Sequence, residues 1–334
     1  MPDLELSVSI HPYIHSPLSR SAIYFNRSLA LLPMMLLAVY NYGLIAFFTM
    51  LVAVVAVLLP TYLILRSRGR RLADVEYENY YYAFLFALIL PAGAPLHAVA
   101  AGGIALNLLV FSDPSGATGI FRILNPVAAV SCLMTMAFSG RMSFFIEPRA
   151  FMSAKWFSVF PDEEYYNGFL SGIKGSASMF DGWEKAGFTK LIFGWHPGHF
   201  AEVSAILIMA AAAFLAVRKS LDMAPFWGAV TGLVASTALF SWQKGMLAIM
   251  GEAVYFALGS IFLFYSLFML ADYYSSPERF ASRVAFGFIF GAMAPIFYRV
   301  ALPGTDPCNF ALLAACLAIP ALDSATSRGN RSVI

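Results

Sequence analysis

Apolar runs of about 17–25 residues, the length that crosses a hydrocarbon core, recur along this chain and leave few folds open to it. The runs are continuous and do not alternate, which argues for membrane helices rather than barrel strands. Composition agrees: of 334 residues, 60% are hydrophobic and 12% charged, against about 25% charged in soluble domains. The chain reads as an all-α polytopic membrane protein. A formal net charge of +2 with no basic patch points to no polyanionic partner and no nucleic acid. Cys132, Cys308 and Cys316 lie far apart in or beside apolar runs without a CxxC pair, so they read as small hydrophobes rather than as ligands of a metal or cluster. The first 20 residues include Glu5, His11, Pro12, His15 and Pro17 and lack a basic start with an apolar core, so no cleavable signal is read there.

Ten spans are expected, near 27–42, 44–65, 78–91, 94–111 and 125–139, then 199–217, 224–242, 252–271, 284–301 and 308–322. The stretch from Gly140 to His199 between the two blocks is the one long part that does not read as membrane. The organisation that follows is a polar segment 1–26, a first membrane block 27–139, a loop 140–198, a second block 199–323 and a tail 324–334. With the N-terminus inside, thirteen Lys and Arg residues, from Arg20 to Arg331, fall on the cytoplasmic side, and Lys244 and Arg299 alone fall in the short outer loops. That bias puts both termini in the cytoplasm and the long loop outside. An odd five spans on each side of the loop makes the two halves insert with opposite orientation. Each half also carries a turn-rich acidic loop after its fourth span, Asp113-Pro-Ser-Gly-Ala-Thr118 and Pro303-Gly-Thr-Asp306-Pro307. Such symmetry suggests an inverted repeat with a site near the repeat interface.

Several local features compete for chemistry. Gly116-Ala-Thr-Gly119 before Asn125-Pro126 is either a plain turn or a close backbone approach to a ligand, with Asn125 capping the next span. Arg66-Ser-Arg-Gly-Arg-Arg71 reads as a topology anchor at lipid headgroups. The run Glu76–Tyr82, rich in tyrosine, reads as an interfacial aromatic belt that positions a helix. Glu202, Glu252 and Asp272 fall at or just inside span ends. Ionisable groups at membrane depth mark function by default, and the alternative is solvation among headgroups. Glu202 stands out because Pro197-Gly198 breaks the backbone before it and leaves helix N-terminal amides to face an anionic group. His196 and His199 lack an obvious third ligand and read as interfacial hydrogen-bonding groups. Gly175-Ser-Ala-Ser178 lacks the length and the lysine of a P-loop; it is either an ordinary loop or an accessible hydroxyl for a modifying enzyme.

In order and spacing, these motifs resemble the RnfD/NqrB membrane subunits of the Rnf and Na⁺-NQR redox pumps. The His11-Pro and His15-Ser-Pro17 start looks like that family's Ser-Pro-His lead-in. Gly116-Ala-Thr-Gly119 with Leu124-Asn-Pro-Val-Ala128 resembles its Gly-Gly-Thr-Gly … Phe-Asn-Pro-Ala loop, and Pro197-Gly-His-Phe-Ala-Glu-Val-Ser204 its Pro-Gly-Ser-x-Gly-Glu-x-Ser segment. Phe286 to Met293 and Ala318 to Asp323 are similar to its Gly-Phe-x-Ile-Gly-Ala and Val-Pro-Leu-Ile-Asp ending.

The resemblance implies ten spans in two inverted five-helix repeats, like urea channels, in a bacterial inner membrane. It implies one FMN linked through a phosphodiester on the outer loop by a flavin transferase, and a non-covalent riboflavin or second flavin within the spans. It further implies partner subunits, including a periplasmic flavoprotein and an Fe-S subunit. Ser115-Gly-Ala-Thr118 has the letters of the FMN motif, yet it aligns with the Gly-Gly-Thr-Gly loop on the cytoplasmic side, so Ser178 takes the acceptor position instead. Gly116, Thr118, Asn125, Gly198, Glu202, Ser204 and Asp272 are then expected to line the inner flavin or ion region. The reading reached is the D subunit of an Rnf-type Na⁺/H⁺ pump passing electrons between ferredoxin and NAD⁺, not catalytic alone. The alternatives are an NqrB-type subunit with quinone as acceptor, and a flavin-free channel or solute carrier on the same scaffold.

Overall fold

The computed structural model describes residues 19–69, 71, 75–111, 123–138, 142, 145–149, 151–159, 188–196, 198–259, 261–272, 275–300 and 306–329. Among these the regular elements are all helices, and no named strand occurs. Ser19 caps α1 (Arg20–Tyr42) by accepting from Ala22 N at 3.2 Å. Gly43, at φ 78°, turns the chain into α2 (Leu44–Ser67). The turn is clamped from outside: Leu44 N donates to Trp156 O at 3.0 Å, Arg149 N to Asn41 O at 2.6 Å and Trp156 Nε1 to Tyr40 O at 3.0 Å. A Cβ on Gly43 would lie 2.2 Å from Trp156 O, so both its left-handed backbone and its space exclude a side chain. Gly43→Ala is expected to cost about 1–3 kcal/mol, read as a fall in the thermal midpoint of the purified chain in detergent; an unchanged midpoint contradicts the clamp.

α3 (Tyr77–Ile89) stops at Leu90-Pro91, whose extended backbone pairs with the second half of the chain: Pro91 forms a bridge with His199, and Phe200 N donates to Leu90 O at 3.1 Å. α4 (Leu96–Phe111) and α5 (Pro126–Ala137) complete the first half. The second half comprises α6 (Phe188–Phe193), a 3₁₀ turn at Phe200–Val203, α7 (Ala205–Val217), α8 (Ala224–Ser241) and α9 (Met246–Gly259). α10 follows, with an α turn at Phe262–Phe264 running into a π turn at Tyr265–Met269, and then α11 (Phe280–Val300) and α12 (Pro307–Gly329). α8 packs most extensively on α11, α2 on α4, and α1 on both α3 and the 200–203 turn. One buried cluster therefore runs through both halves.

Helix lies at all ten positions where a span was expected, but its lengths differ from the expectation. Among the described residues, five helices are long and apolar enough to cross a membrane: α1, α2, α8, α11 and α12. A sixth is counted if α9 and α10, bent by 78° to one another, form one broken span. α3, α4, α5 and α7 have 13, 16, 12 and 13 residues, about 18–24 Å at 1.5 Å per residue, against a hydrocarbon core of about 30 Å. The expected span 199–217 is a 3₁₀ turn followed by a short α-helix, and 252–271 is a bent pair. The outward faces of the long helices are apolar, with Leu36 72% and Leu63 55% exposed, as lipid contact requires. All three cysteines are buried and unpaired, as their apolar surroundings indicated.

Candidate functional site

Two buried polar centres lie along α5, one at each end of the π turn of α10. The first forms around the N-terminus of α5. Asn125 Oδ1 accepts from Val127 N at 3.1 Å and Ala128 N at 3.2 Å, and Pro126 occupies the first turn. This is the capping geometry that Asn-Pro encodes. Asn125 Nδ2 donates to Met269 O and to Ser275 Oγ, both at 3.4 Å. Asp272 Oδ2 accepts from Tyr82 OH at 2.9 Å and Ser275 Oγ at 3.4 Å. Tyr81 OH donates to Phe268 O at 3.0 Å. The π turn offsets the backbone ladder, with Leu270 N bonding to Tyr265 O, and α3 and α5 supply side-chain donors to its last two carbonyls. Tyr81 and Tyr82 are thus core residues, 0% and 1% exposed, not members of an interfacial belt; the long-range partners that draw them inward are invisible in a local window. Tyr77, 45% exposed, fits the belt reading, and Tyr80 is half-buried.

Arg27 belongs to the same end of the bundle. It is 6% exposed, donating from Nε to Ser220 O at 3.1 Å and from Nη2 to Ala271 O at 2.8 Å. Its guanidinium sits 6.0 Å and 5.7 Å from the ring centres of Tyr24 and Tyr81, within cation–π range. Counted from sequence as one basic residue among thirteen, it is a buried tie between α1, the α7–α8 connection and the end of α10.

The second centre gathers residues that spacing alone did not single out. Asp306 caps α12 as Asn125 caps α5: its Oδ1 accepts from Cys308 N at 2.9 Å, with Pro307 beginning the helix. Asp306 Oδ2 accepts from Tyr265 OH at 3.2 Å and Asn309 Nδ2 at 3.0 Å, and Tyr265 OH also donates to Asn309 Oδ1. Asn309 Nδ2 reaches across to Ser131 Oγ of α5 at 2.8 Å. Facing them, His199 Nδ1 lies 3.0 Å from Glu202 Oε1, and His199 Nε2 lies 4.0 Å from Asp306 Oδ2. Ser131 is six residues beyond Asn125, about 9 Å along the helix, which sets the separation of the two centres. The shared Asn125-Pro126 and Asp306-Pro307 pattern was a signal in the sequence for the second centre.

The anionic group at the amides after Gly198 is Glu202 itself. His199 N donates to Glu202 Oε2 at 3.3 Å, so the chain's own carboxylate takes the place an anion would fill. A Cβ on Gly198 would fall 1.8 Å from Glu202 Oε2, which shows the space above that glycine occupied. Ser204 caps α7 by accepting from Leu207 N at 3.3 Å and donates to Ile192 O at 3.4 Å. His196 and His199 are each 7% exposed and are buried rather than interfacial. Glu252, 8% exposed, accepts from Ser241 Oγ and lies 3.8 Å from Arg299 Nη2, away from both centres. Ser178, Gly116 and Thr118 lie outside the described residues.

The structure thus brings Asn125 and Asp272 together at one centre and Gly198 and Glu202 at the other, with Ser204 beside the second. It does not form one shared pocket from them. As arranged, these residues do not fit an inner flavin. Asn125 and Asp272 are both 0% exposed, Asn125 uses its oxygen and nitrogen within the chain, and Asp272 Oδ2 already takes two hydroxyls. No group of three or more His, Cys, Asp or Glu side chains able to hold a metal occurs among the described residues.

The chain is similar to components of two kinds of membrane redox complex. It is 20% identical over 298 residues to the D subunit of the proton-translocating ferredoxin:NAD(+) oxidoreductase complex of Clostridium ljungdahlii, covering 87% of this chain and 85% of that protein. It is 25% identical over 281 residues to the B subunit of the Na(+)-translocating NADH-quinone reductase of Chromohalobacter salexigens, and 27% identical over 256 residues to that of Stutzerimonas stutzeri. Those two alignments cover 79% and 74% of this chain but only 64% and 59% of the relatives. The profile of the NQR2, RnfD, RnfE family matches residues 7–331. With nearly the whole sequence matched and several apolar helices long enough to cross a bilayer, this chain is a multi-pass membrane protein and belongs to the NQR2, RnfD, RnfE family.

Proposed function

We propose that the chain is the D-type membrane subunit of an Rnf-type redox-driven ion pump, working with partner subunits to relay electrons between ferredoxin and NAD⁺. The observation that carries this reading is coverage: the alignment to the ferredoxin:NAD(+) oxidoreductase protein spans 85% of it, against 64% and 59% for the NADH-quinone reductase proteins. The higher identities, 25% and 27%, belong to the quinone reductase relatives and favour the NqrB-type role as the second reading. In both, the ten helical segments are arranged as two inverted five-helix repeats with both termini cytoplasmic. The Asn-Pro and Asp-Pro starts of α5 and α12, which occupy the fifth expected span of each half, support that symmetry.

FMN, when present, supplies the one-electron chemistry, and Ser178 is the hydroxyl that bears it in this reading. A second, non-covalent flavin has no place among Asn125, Asp272 and Glu202 as arranged. The test is a denaturing gel of the chain co-expressed with a flavin transferase and viewed under ultraviolet light. A fluorescent band that disappears in Ser178→Ala is the expected result. A band kept in that variant and lost in Thr118→Ala overturns both the acceptor and the topology. A wild-type chain without a band leaves the flavin-free channel or carrier as the better reading.

A further inference from the structure

His199 is placed between two buried carboxylates that come from different segments. Glu202 lies on the 3₁₀ turn at Phe200–Val203, and Asp306 at the start of α12. The side chains of His199, Glu202 and Asp306 are 9%, 8% and 6% exposed. Neither carboxylate pairs with a lysine or arginine among the described residues, so the imidazole is the one cationic partner the structure offers them. The other groups facing the cluster are Tyr42 from α1, Phe145 with its edge on the imidazole, Cys132 and Ser131 from α5, Tyr265 from α10, and Cys308 and Asn309 from α12. Tyrosine and cysteine at their ordinary pKa values carry no charge near neutral pH. Two buried carboxylates without compensation are strongly disfavoured, and a proton on His199 relieves both.

We propose that His199, Glu202 and Asp306 form a proton-binding relay, and that the ion this centre takes is H⁺ rather than Na⁺. The ring stands where a cation bridging the two carboxylates would sit, and hard cations select oxygen ligands over imidazole nitrogen. The transfer step balances without a co-reactant. It begins with His199 protonated on both nitrogens and both carboxylates ionised. Nε2 gives its proton to Asp306 while Nδ1 keeps the hydrogen it shares with Glu202, and the imidazole ends neutral. Net charge is unchanged and one proton has moved from the 196–204 segment to the head of α12. The 3.0 Å contact to Glu202 is already a hydrogen bond, whereas the 4.0 Å separation from Asp306 must close by roughly 1 Å. The relay's use in pumping rests on the ion-translocating reading above; its existence does not.

The experiment is an infrared pH titration of the full-length chain in lipid nanodiscs, with histidine isotopically labelled so that imidazole bands are identified. A His199 band is expected to titrate in wild type, to vanish in His199→Asn, and to keep its midpoint when NaCl is exchanged for choline chloride. Asp306→Asn keeps the α12 cap through its amide oxygen and removes one anion, while its Nδ2 no longer accepts from Tyr265 OH and Asn309 Nδ2. It is expected to lower the midpoint by about 1–3 pH units, and Glu202→Gln should lower it in the same sense. A band absent from wild type overturns the site. A midpoint moved by Na⁺ at constant ionic strength overturns the ion assignment, and one indifferent to Asp306→Asn overturns the relay. Each variant must elute from size exclusion as wild type does. Loss of the titration with flavin fluorescence intact fails the relay alone, whereas loss of fluorescence with the titration intact fails the redox reading alone.

Discussion

Valine at Gly232 is expected to destabilise the folded chain by about 3 kcal/mol or more, the upper end of what overpacking a core costs. The reason lies in how α8 and α11 meet. A Cβ on Gly228 would stand 2.0 Å from Val284 O, and one on Gly232 2.2 Å from Phe288 O. From the other helix, a Cβ on Gly287 would stand 1.9 Å from Pro225 O and one on Gly291 1.9 Å from Ala229 O. All four obstacles are backbone, so no side-chain rotation relieves them. The two helices touch main chain to main chain through reciprocal small-xxx-small pairs, the device that lets membrane helices gain dispersion contacts where burial from water offers little. Equilibrium unfolding in mixed micelles, followed by circular dichroism, measures the effect. Gly251→Ala is the control, since nothing lies within 4 Å of a Cβ there; it should be neutral or gain up to about 1 kcal/mol of helix propensity. A Gly232→Val variant within about 0.5 kcal/mol of wild type contradicts the packing.

Arg27→Met comes second, with an expected loss on the order of 3–5 kcal/mol. Methionine keeps much of the length and apolar stem but abandons Ser220 O and Ala271 O, two buried carbonyls that accept charge-assisted bonds. It also removes the cation from between Tyr24 and Tyr81. Lysine should recover only part of the loss, because a single ammonium on a flexible stem does not reproduce the fork that reaches both carbonyls. Arg66→Met serves as comparison: Arg66 is exposed and donates to Tyr62 OH within its own helix, so its change should stay within about 0.5 kcal/mol. Equal effects at positions 27 and 66 are incompatible with the buried tie.

What could be read in advance divides along range of interaction. The membrane class and the approximate helix positions follow from hydropathy, which is a local sum. The expected run 44–65 is helix at Leu44–Ser67, and 224–242 is helix at Ala224–Ser241. Helix α1 begins earlier than hydropathy suggested, at Arg20, because Ser19 supplies a cap that an apolar window does not register. The run 199–217 is apolar from end to end, yet its first residues bend into a 3₁₀ turn, marked in the sequence by Pro197-Gly198 and the Ser204 cap. The polar centres were mostly illegible, since their partners are far apart in the chain: Asn309 meets Ser131 across 178 residues and Tyr82 meets Asp272 across 190. Asp306 was visible only as one acidic residue in a turn, and its role depends on a tyrosine 41 residues upstream. Asn125 was placed correctly as a cap because capping is local.

The π turn at Tyr265–Met269 is in effect a one-residue insertion into a helix. Each helical residue advances the azimuth by about 100°, so the extra residue changes by about a quarter-turn the direction in which the chain leaves α10 at Met269. Tyr265 faces Asp306 and Asn309, while Asp272, seven residues later, faces Tyr82 and Ser275. The surplus residue in α10 therefore acts as a phase-setter, changing the direction from which the chain runs on from Tyr265 and its partners to Asp272 and its own.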